Sequence, residues 1–209
     1  MTKVVIFDCD GVMFDSKGAN MAFYNHLLER LHLPPLSQEE IAYVHASSAG
    51  QAMRYLLERR GYKDEADSYQ ELIKGIDYRP FIRLMKMEPH LKDVLRRLPP
   101  EIKRAISTNR SYSIGDVLRY HGLEGEFDLV VSALDVKNPK PHPDSLLKVI
   151  SHFSIEPEEA IFVGDTLNDQ EASRRAGVPF VAYKNPSLKA HYHIDDLRQL
   201  LEIIKEKGA

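Results

Sequence analysis

Val4-Val5-Ile6-Phe7 is a continuous apolar run close to the start of the chain. Its β-branched residues and its lack of alternation suit a central strand covered on both faces of a parallel sheet. After Ser16 the pattern turns helical: Met21, Tyr24, Leu27, Leu28 and Leu31 recur at helical spacing, and Leu33-Pro34-Pro35 stops that helix. Ser37-Gln38-Glu39-Glu40 reads as a capping box opening a second helix. Gly50 separates it from an apolar stretch, Met53 to Leu57, that Gly61 ends, and a further stretch from Asp64 to Ile76 completes a helical block. Beyond Pro89 helices and strands alternate. The pattern predicts helices over 91–98, 113–120, 144–153, 169–176 and 194–204, and strands over 102–107, 129–133, 160–163 and 180–183. Such alternation predicts a doubly wound parallel sheet with right-handed crossovers. The expected organisation is an α/β core made of 1–16 and 85–209, interrupted after its first strand by a helical insert, 17–84. The connections between them are expected near Ser16 and between Arg79 and Pro89.

Composition narrows the function. At 209 residues, 43% hydrophobic and 28% charged, the chain has enough apolar material for one full domain and a smaller insert. A formal net charge of -3 provides no basic footprint, so nucleic acid is not an expected partner. The single cysteine, Cys9, excludes an internal disulfide and fits a reducing compartment. No apolar run approaches membrane-spanning length, and the residues before the first strand leave no room for a signal stretch; a cytoplasmic location and no membrane partner are expected. Oligomeric state leaves no signature. Neither a Gly-x-x-x-x-Gly-Lys-Ser/Thr loop nor a Gly-x-Gly-x-x-Gly fingerprint is present.

The candidate chemistry gathers where predicted strands end. Asp8 and Asp10 follow the first strand, at the edge where ligands bind in a doubly wound sheet. Anions this close need a cation, and oxygen ligands point to a hard ion, magnesium being the natural choice. An Asp-rich calcium loop would need oxygen ligands where Val12 and Phe14 stand. Ser107-Thr108-Asn109 ends another strand with groups able to donate hydrogen bonds to a phosphoryl oxygen, although the same triplet would serve as a strand-to-helix exit. Register decides whether Ser107 or Thr108 faces the site, and Arg110 can add charge beside them. Lys140 stands between Pro139 and Pro141, which stiffen its loop; Lys137 is the competing cation. Asp165 and Asp169 follow Gly164, four residues apart, and share one side if a helix starts there; capping that helix is their alternative role.

Together, Asp8-Cys9-Asp10-Gly11-Val12 through Asp15-Ser16, Thr108-Asn109, Lys140 in Lys-Pro-His-Pro-Asp, and Gly164-Asp165 with Asp169 resemble, in order, the four motifs of the haloacid dehalogenase-like hydrolase superfamily. The length, early helical insert and Asp15-Ser16 look most like its phosphoglycolate phosphatase and β-phosphoglucomutase-like branch. The resemblance implies a Rossmann-like core and an all-helical cap. It also implies a magnesium-dependent phosphatase that acts on a small phosphorylated metabolite through an aspartyl-phosphate. Carried over, Asp8 is the nucleophile and Asp10 the general acid and then base. Gly11 lets backbone amides approach the phosphate. The family pattern prefers Thr108 and Lys140 over their competitors, and Asn109 and Arg110 join Gly11 in holding phosphate or substrate. Asp8, Asp165, Asp169 and the Asp10 carbonyl form the magnesium shell, Asp169 directly or through water.

Val12 stands where many phosphatases of the family carry Thr, and valine-bearing motifs occur in β-phosphoglucomutase-like relatives, so a phosphosugar mutase is the enzymatic alternative. A non-catalytic protein binding a partner through the cap is the alternative from another class. Substrate choice is expected on the cap, where Asn20, His45, Ser47, Ser48, Gln51 and Arg54 offer polar side chains, with Arg54 the candidate second anchor for an anionic substrate. Cys9 is expected to face the core, His191-x-His193 to lie in a solvated segment, and Glu58-Arg59-Arg60 and Arg96-Arg97 to be exposed helix faces.

Overall fold

The computed structural model describes residues 1–47, 49–62 and 76–208. Six strands form one parallel sheet: β1 (Val4–Phe7), β4 (Lys103–Ser107), β5 (Leu129–Val131), β6 (Ala160–Gly164), β7 (Phe180–Tyr183) and β8 (Tyr192–Ile194), in the order β5-β4-β1-β6-β7-β8. β1 lies between β4 and β6, with Phe7 opposite both Ile106 and Val163. After β1 the chain builds the sheet on one side through β4 and β5, then crosses to β6 on the other. That reversal leaves a crevice at the carboxyl ends of β4, β1 and β6.

The two-sided burial of β1 follows from its alternation. Val5 and Phe7 enter a core with α5 (Leu91–Arg97), α6 (Ile114–Tyr120) and α9 (Gln199–Gly208), while Val4 and Ile6 enter another with α7 (Asp144–Phe153) and α8 (Leu167–Ala176). All four side chains are fully buried. A third apolar cluster, around Phe23, Leu27, Met53 and Leu56, belongs to the helical block of α1 (Lys17–Arg30), α2 (Gln38–Ala46) and α3 (Ala49–Glu58), with the short α4 (Arg79–Ile82) following. The block leaves and rejoins the core through a two-residue antiparallel pair, β2 (Phe14–Asp15) with β3 (Lys86–Met87).

Several expectations shift. The helix expected over 194–204 is an edge strand, β8, followed by α9 starting at Gln199; Ile194 and Leu197 fit either period, and Tyr192 pairs beside Val181. Gln199 Oε1 accepts from the Asp195 and Asp196 amides, so the turn forms between the two elements. His193 lies in β8 and His191 just before it, both exposed as expected of a solvated segment, and each is tethered: His191 Nδ1 accepts from the Phe180 amide, and His193 Nε2 is 2.9 Å from the Leu188 carbonyl. Gly50 lies inside the first turn of α3. The capping box at Ser37 forms as expected, with Ser37 Oγ accepting from the Glu40 amide. Most of the stretch from Asp64 to Ile76 lies outside the described residues, as does Ser48. No helix among the described residues is long and apolar enough to cross a membrane.

Candidate active site

Asp8 continues β1 and hydrogen-bonds through its amide to the Val163 carbonyl, so its position is set by the strand ladder. Lys140 reaches it from the loop before α7: Nζ donates to Asp8 Oδ1 at 2.8 Å, to Asp169 Oδ1 at 2.6 Å and to the Ser107 carbonyl at 3.0 Å. The Lys140 side chain is 2% exposed, and three acceptors satisfy its three donors. Asp169 is held from its other oxygen. Thr166 caps α8, accepting from the Asp169 amide, while Asp169 Oδ2 accepts from the Thr166 amide at 3.0 Å and hydroxyl at 2.6 Å. α8 starts earlier than expected because of this cap, and Asp169 both caps and faces the site.

Asp8, Asp165 and Asp169 each offer an oxygen within 4.8 Å of the others. Lys140 is the cation hydrogen-bonded within this group, and it reaches Asp8 and Asp169. Burial, and then the Asp169 and Asp8 charges, push the Asp165 carboxyl above the usual range. Burial does the same to Asp8 against the opposing pull of Lys140. Among the described residues, Asp165 Oδ1 is buried without a hydrogen-bond partner. An orphaned carboxylate oxygen among clustered anions fits a hard divalent cation. Gly11 permits the approach: at φ +88° it turns the chain, and a Cβ there would fall 2.1 Å from Asp165 Oδ2.

Asp10, two residues beyond Asp8, is held by Arg110. Arg110 Nε donates to Asp10 Oδ2 at 3.1 Å, and Nη2 donates to Oδ1. Burial favours the neutral acid, but the guanidinium's charge and its hydrogen bonds outweigh it and hold Asp10 below the usual carboxylate range. The Arg110 guanidinium also lies 4.9 Å from the Tyr78 ring centroid, and Tyr78 donates its hydroxyl to Asn20 Oδ1, whose Nδ2 is 3.2 Å from His45 Nδ1. These groups line one cleft of about 400 Å³ between the sheet edge and the helical block. Asp8, Asp10, Thr108, Lys140 and Asp169 form its core wall, and Phe23, Tyr24 and Val44 form an apolar wall opposite.

A family model described as haloacid dehalogenase-like hydrolase matches residues 5–183. The chain belongs to the haloacid dehalogenase-like hydrolase family. A solved hydrolase of that superfamily from Geobacter sulfurreducens is 40% identical, with a TM-score of 0.81 over 97% of this chain and 100% of that one. A protein of Caldanaerobacter subterraneus named pyrophosphatase PpaX is 31% identical over 96% of this chain and 94% of its own. The phosphoglycolate phosphatase of Escherichia coli is 26% identical over 85% and 79%. This family member is an enzyme, a phosphatase.

The cleft of this haloacid dehalogenase-like hydrolase brings together most of the residues singled out above. Thr108, 2% exposed, lines it, whereas Ser107 turns away to donate to Ser145 Oγ. Lys140 lines it and Lys137 is exposed on the surface. Asn109 lines it and donates to the Lys140 carbonyl at 2.9 Å, steadying that loop. Cys9 is buried, and burial raises its thiol well above the ordinary range. From the cap, Asn20, His45 and Ser47 reach the cleft. Arg54 does not: it is exposed on α3 and absent from the cleft wall, because the apolar stripe Ala52, Met53, Leu56 and Leu57 takes the inward face. Gln51 is likewise exposed on α3. Tyr78 and Thr166 were not singled out. Thr166-x-x-Asp169 was legible as a cap; no local pattern marks Tyr78.

Proposed function

We propose that this phosphatase hydrolyses a small phosphate monoester with magnesium, by way of an aspartyl-phosphate on Asp8. The supporting observation is the set of three carboxylates, Asp8 and Asp169 buried and Asp165 half-buried, against one hydrogen-bonded lysine. Asp8, Asp165 and the Asp10 carbonyl would hold the ion, with Asp169, both of whose oxygens already accept hydrogen bonds, joining directly or through water. Bound there, magnesium supplies positive charge for the phosphoryl oxygens.

The chain's own groups divide the remaining work. Lys140 fixes Asp8 by Oδ1, and among the described residues no hydrogen bond is made to Oδ2, the oxygen assigned to attack phosphorus. The Thr108 hydroxyl, Asn109 and the amides at the Gly11 turn donate to the phosphoryl oxygens. Asp10 protonates the leaving oxygen and then takes a proton from water. Residues 17–84 act as a cap over a core of 1–16 and 85–209, moving about the β2–β3 pair and keeping bulk water out during transfer.

Val12, the residue behind the mutase alternative, is fully buried in the core and cannot select a substrate by contact. The test is phosphate release from a panel of metabolite monoesters with and without magnesium, beside Asp8→Asn. Turnover that needs the metal and vanishes in the variant is expected. Turnover retained by Asp8→Asn would remove Asp8 from its role, and isomerised sugar phosphate in place of free phosphate would favour the mutase.

A further inference from the structure

Asn185, a neutral side chain in the turn after β7, holds the backbone of Asp165: its Nδ2 donates to the Asp165 carbonyl at 2.8 Å. Its Oδ1 accepts from the Ser187 hydroxyl at 2.7 Å and amide at 3.3 Å, which orients the side-chain amide and leaves its nitrogen facing Asp165. The turn itself is pinned. Lys184 has φ +49°, in the left-handed region that strains a residue with a side chain. Its amide donates to the Ile194 carbonyl at 2.8 Å, its Nζ donates to Glu88 Oε2 at 2.6 Å, and the neighbouring Tyr183 hydroxyl donates to that same oxygen at 2.8 Å. Asn185 is half-buried and does not line the cleft, so it reaches the site through Asp165. Asp165 needs such a hold. Its carboxylate stands with those of Asp8 and Asp169 within 4.8 Å, and repulsion drives it outward when no cation lies between them. From within the cluster the Asp165 amide donates to Asp169 Oδ2 at 3.3 Å, an oxygen that also serves Thr166. The Asn185 bond is shorter and comes from outside the cluster.

We propose that Asn185 is a positioning residue for the divalent cation: it keeps the Asp165 carboxylate beside Asp8 and Asp169 before the ion arrives. This rests on the cation site of the phosphatase reading above. Without the Asn185 amide, the peptide between Asp165 and Thr166 is free to turn and carry the carboxylate away from its acidic neighbours, and binding the ion then includes the work of bringing it back. Groups that orient a metal ligand are worth about 10- to 100-fold in affinity, and a single neutral hydrogen bond belongs at the lower end of that range. The loss falls on cation binding and not on the step that follows. Once the ion is bound Asp165 is back in place, and Asp8, Asp10 and Lys140 are untouched.

Magnesium titration calorimetry on the substrate-free protein tests it, beside phosphate release from p-nitrophenyl phosphate across a magnesium series. Asn185→Ala is expected to raise the magnesium Kd on the order of 10-fold and the half-activating magnesium concentration with it, while kcat at saturating magnesium stays within about twofold of wild type. Ser187→Ala leaves the Nδ2 bond to Asp165 in place and should bind magnesium as wild type does. A merely structural Asn185 would lower the metal-free Tm and leave Kd unchanged, which overturns the proposal. So does a Ser187→Ala variant that loses as much affinity as Asn185→Ala, since the turn and not the bond to Asp165 would then be responsible. Should Asn185→Ala not fold, Asn185→Asp decides: it keeps the acceptor for Ser187, loses the donor, and adds a negative charge that by itself attracts the cation, so an affinity at or above wild type refutes the role and a weaker one supports it. A wild type that binds no magnesium refutes the cation site itself, and the Asn185 assignment with it.

Discussion

Replacing Asp165 by Asn is expected to stabilise the metal-free protein while abolishing its response to magnesium. Asp165 shares with Asp8 and Asp169 a space in which the three oxygens lie within 4.8 Å. Two unit charges at that separation repel by about 3.5 kcal/mol at an effective dielectric of about 20. Lys140 offsets part of this but bonds to Asp8 and Asp169. A net gain of about 1–3 kcal/mol follows, or about 2–12 °C in Tm for a chain this size. The pH dependence has a definite sign. Asp165 is held above the usual range, by burial first and then by its acidic neighbours. The folded state therefore keeps a proton that the unfolded chain releases near its ordinary value of about 3.9. The associated stability is complete below that value and is lost as pH rises toward the folded pKa. The Tm difference between Asp165→Asn and wild type should thus widen upward from about pH 4. With magnesium at about a hundred times its Kd, wild type gains about 2.7 kcal/mol and the variant little. Calorimetry in chelator and across a magnesium series measures both effects. A metal-free variant less stable than wild type, or one keeping the full magnesium shift, would refute the electrostatic account of this cluster.

Lys140→Met should lower metal-free stability by about 3–5 kcal/mol, because it strips the cation from buried Asp8 and Asp169; urea unfolding in chelator reads this, and a loss under about 1 kcal/mol would contradict it. Gly11→Ala places a methyl group 2.1 Å from Asp165 Oδ2 at a residue with φ +88°. It should cost about 1–3 kcal/mol and weaken the magnesium-induced Tm shift, with wild-type values for both in the same calorimetry as the contrary result.

What could be read in advance followed from local chemistry. The buried runs before Asp8 and Asp165 announced their own strands, and α7 and β7 have the expected bounds because helical and strand periods there are unmixed. Asp8, Lys140 and Asp169 meet because β1, β6 and the loop before α7 converge at one sheet edge, which the alternation of elements already implied. Pairings between distant residues could not be read: Arg110 was visible as an added charge, yet its hold on Asp10 and its seat on Tyr78 depend on how the cap lies on the core. Arg54 misled for a related reason, since a polar residue on an amphipathic helix reveals its face only once the packing partner is known. The β2–β3 pair is too short to show any period, and β8 was hidden because Ile194 and Leu197 satisfy two patterns at once.

The most direct test of the central claim is the site of phosphorylation. Asp10→Asn removes the group assigned to activate water, so a phosphoryl-enzyme should accumulate on p-nitrophenyl phosphate, whose leaving group needs little protonation. After acid quench and digestion, peptide mass spectrometry is predicted to find one phosphoryl group, on Asp8. A phosphoryl group on any other residue, or turnover with none on the protein, would contradict the account.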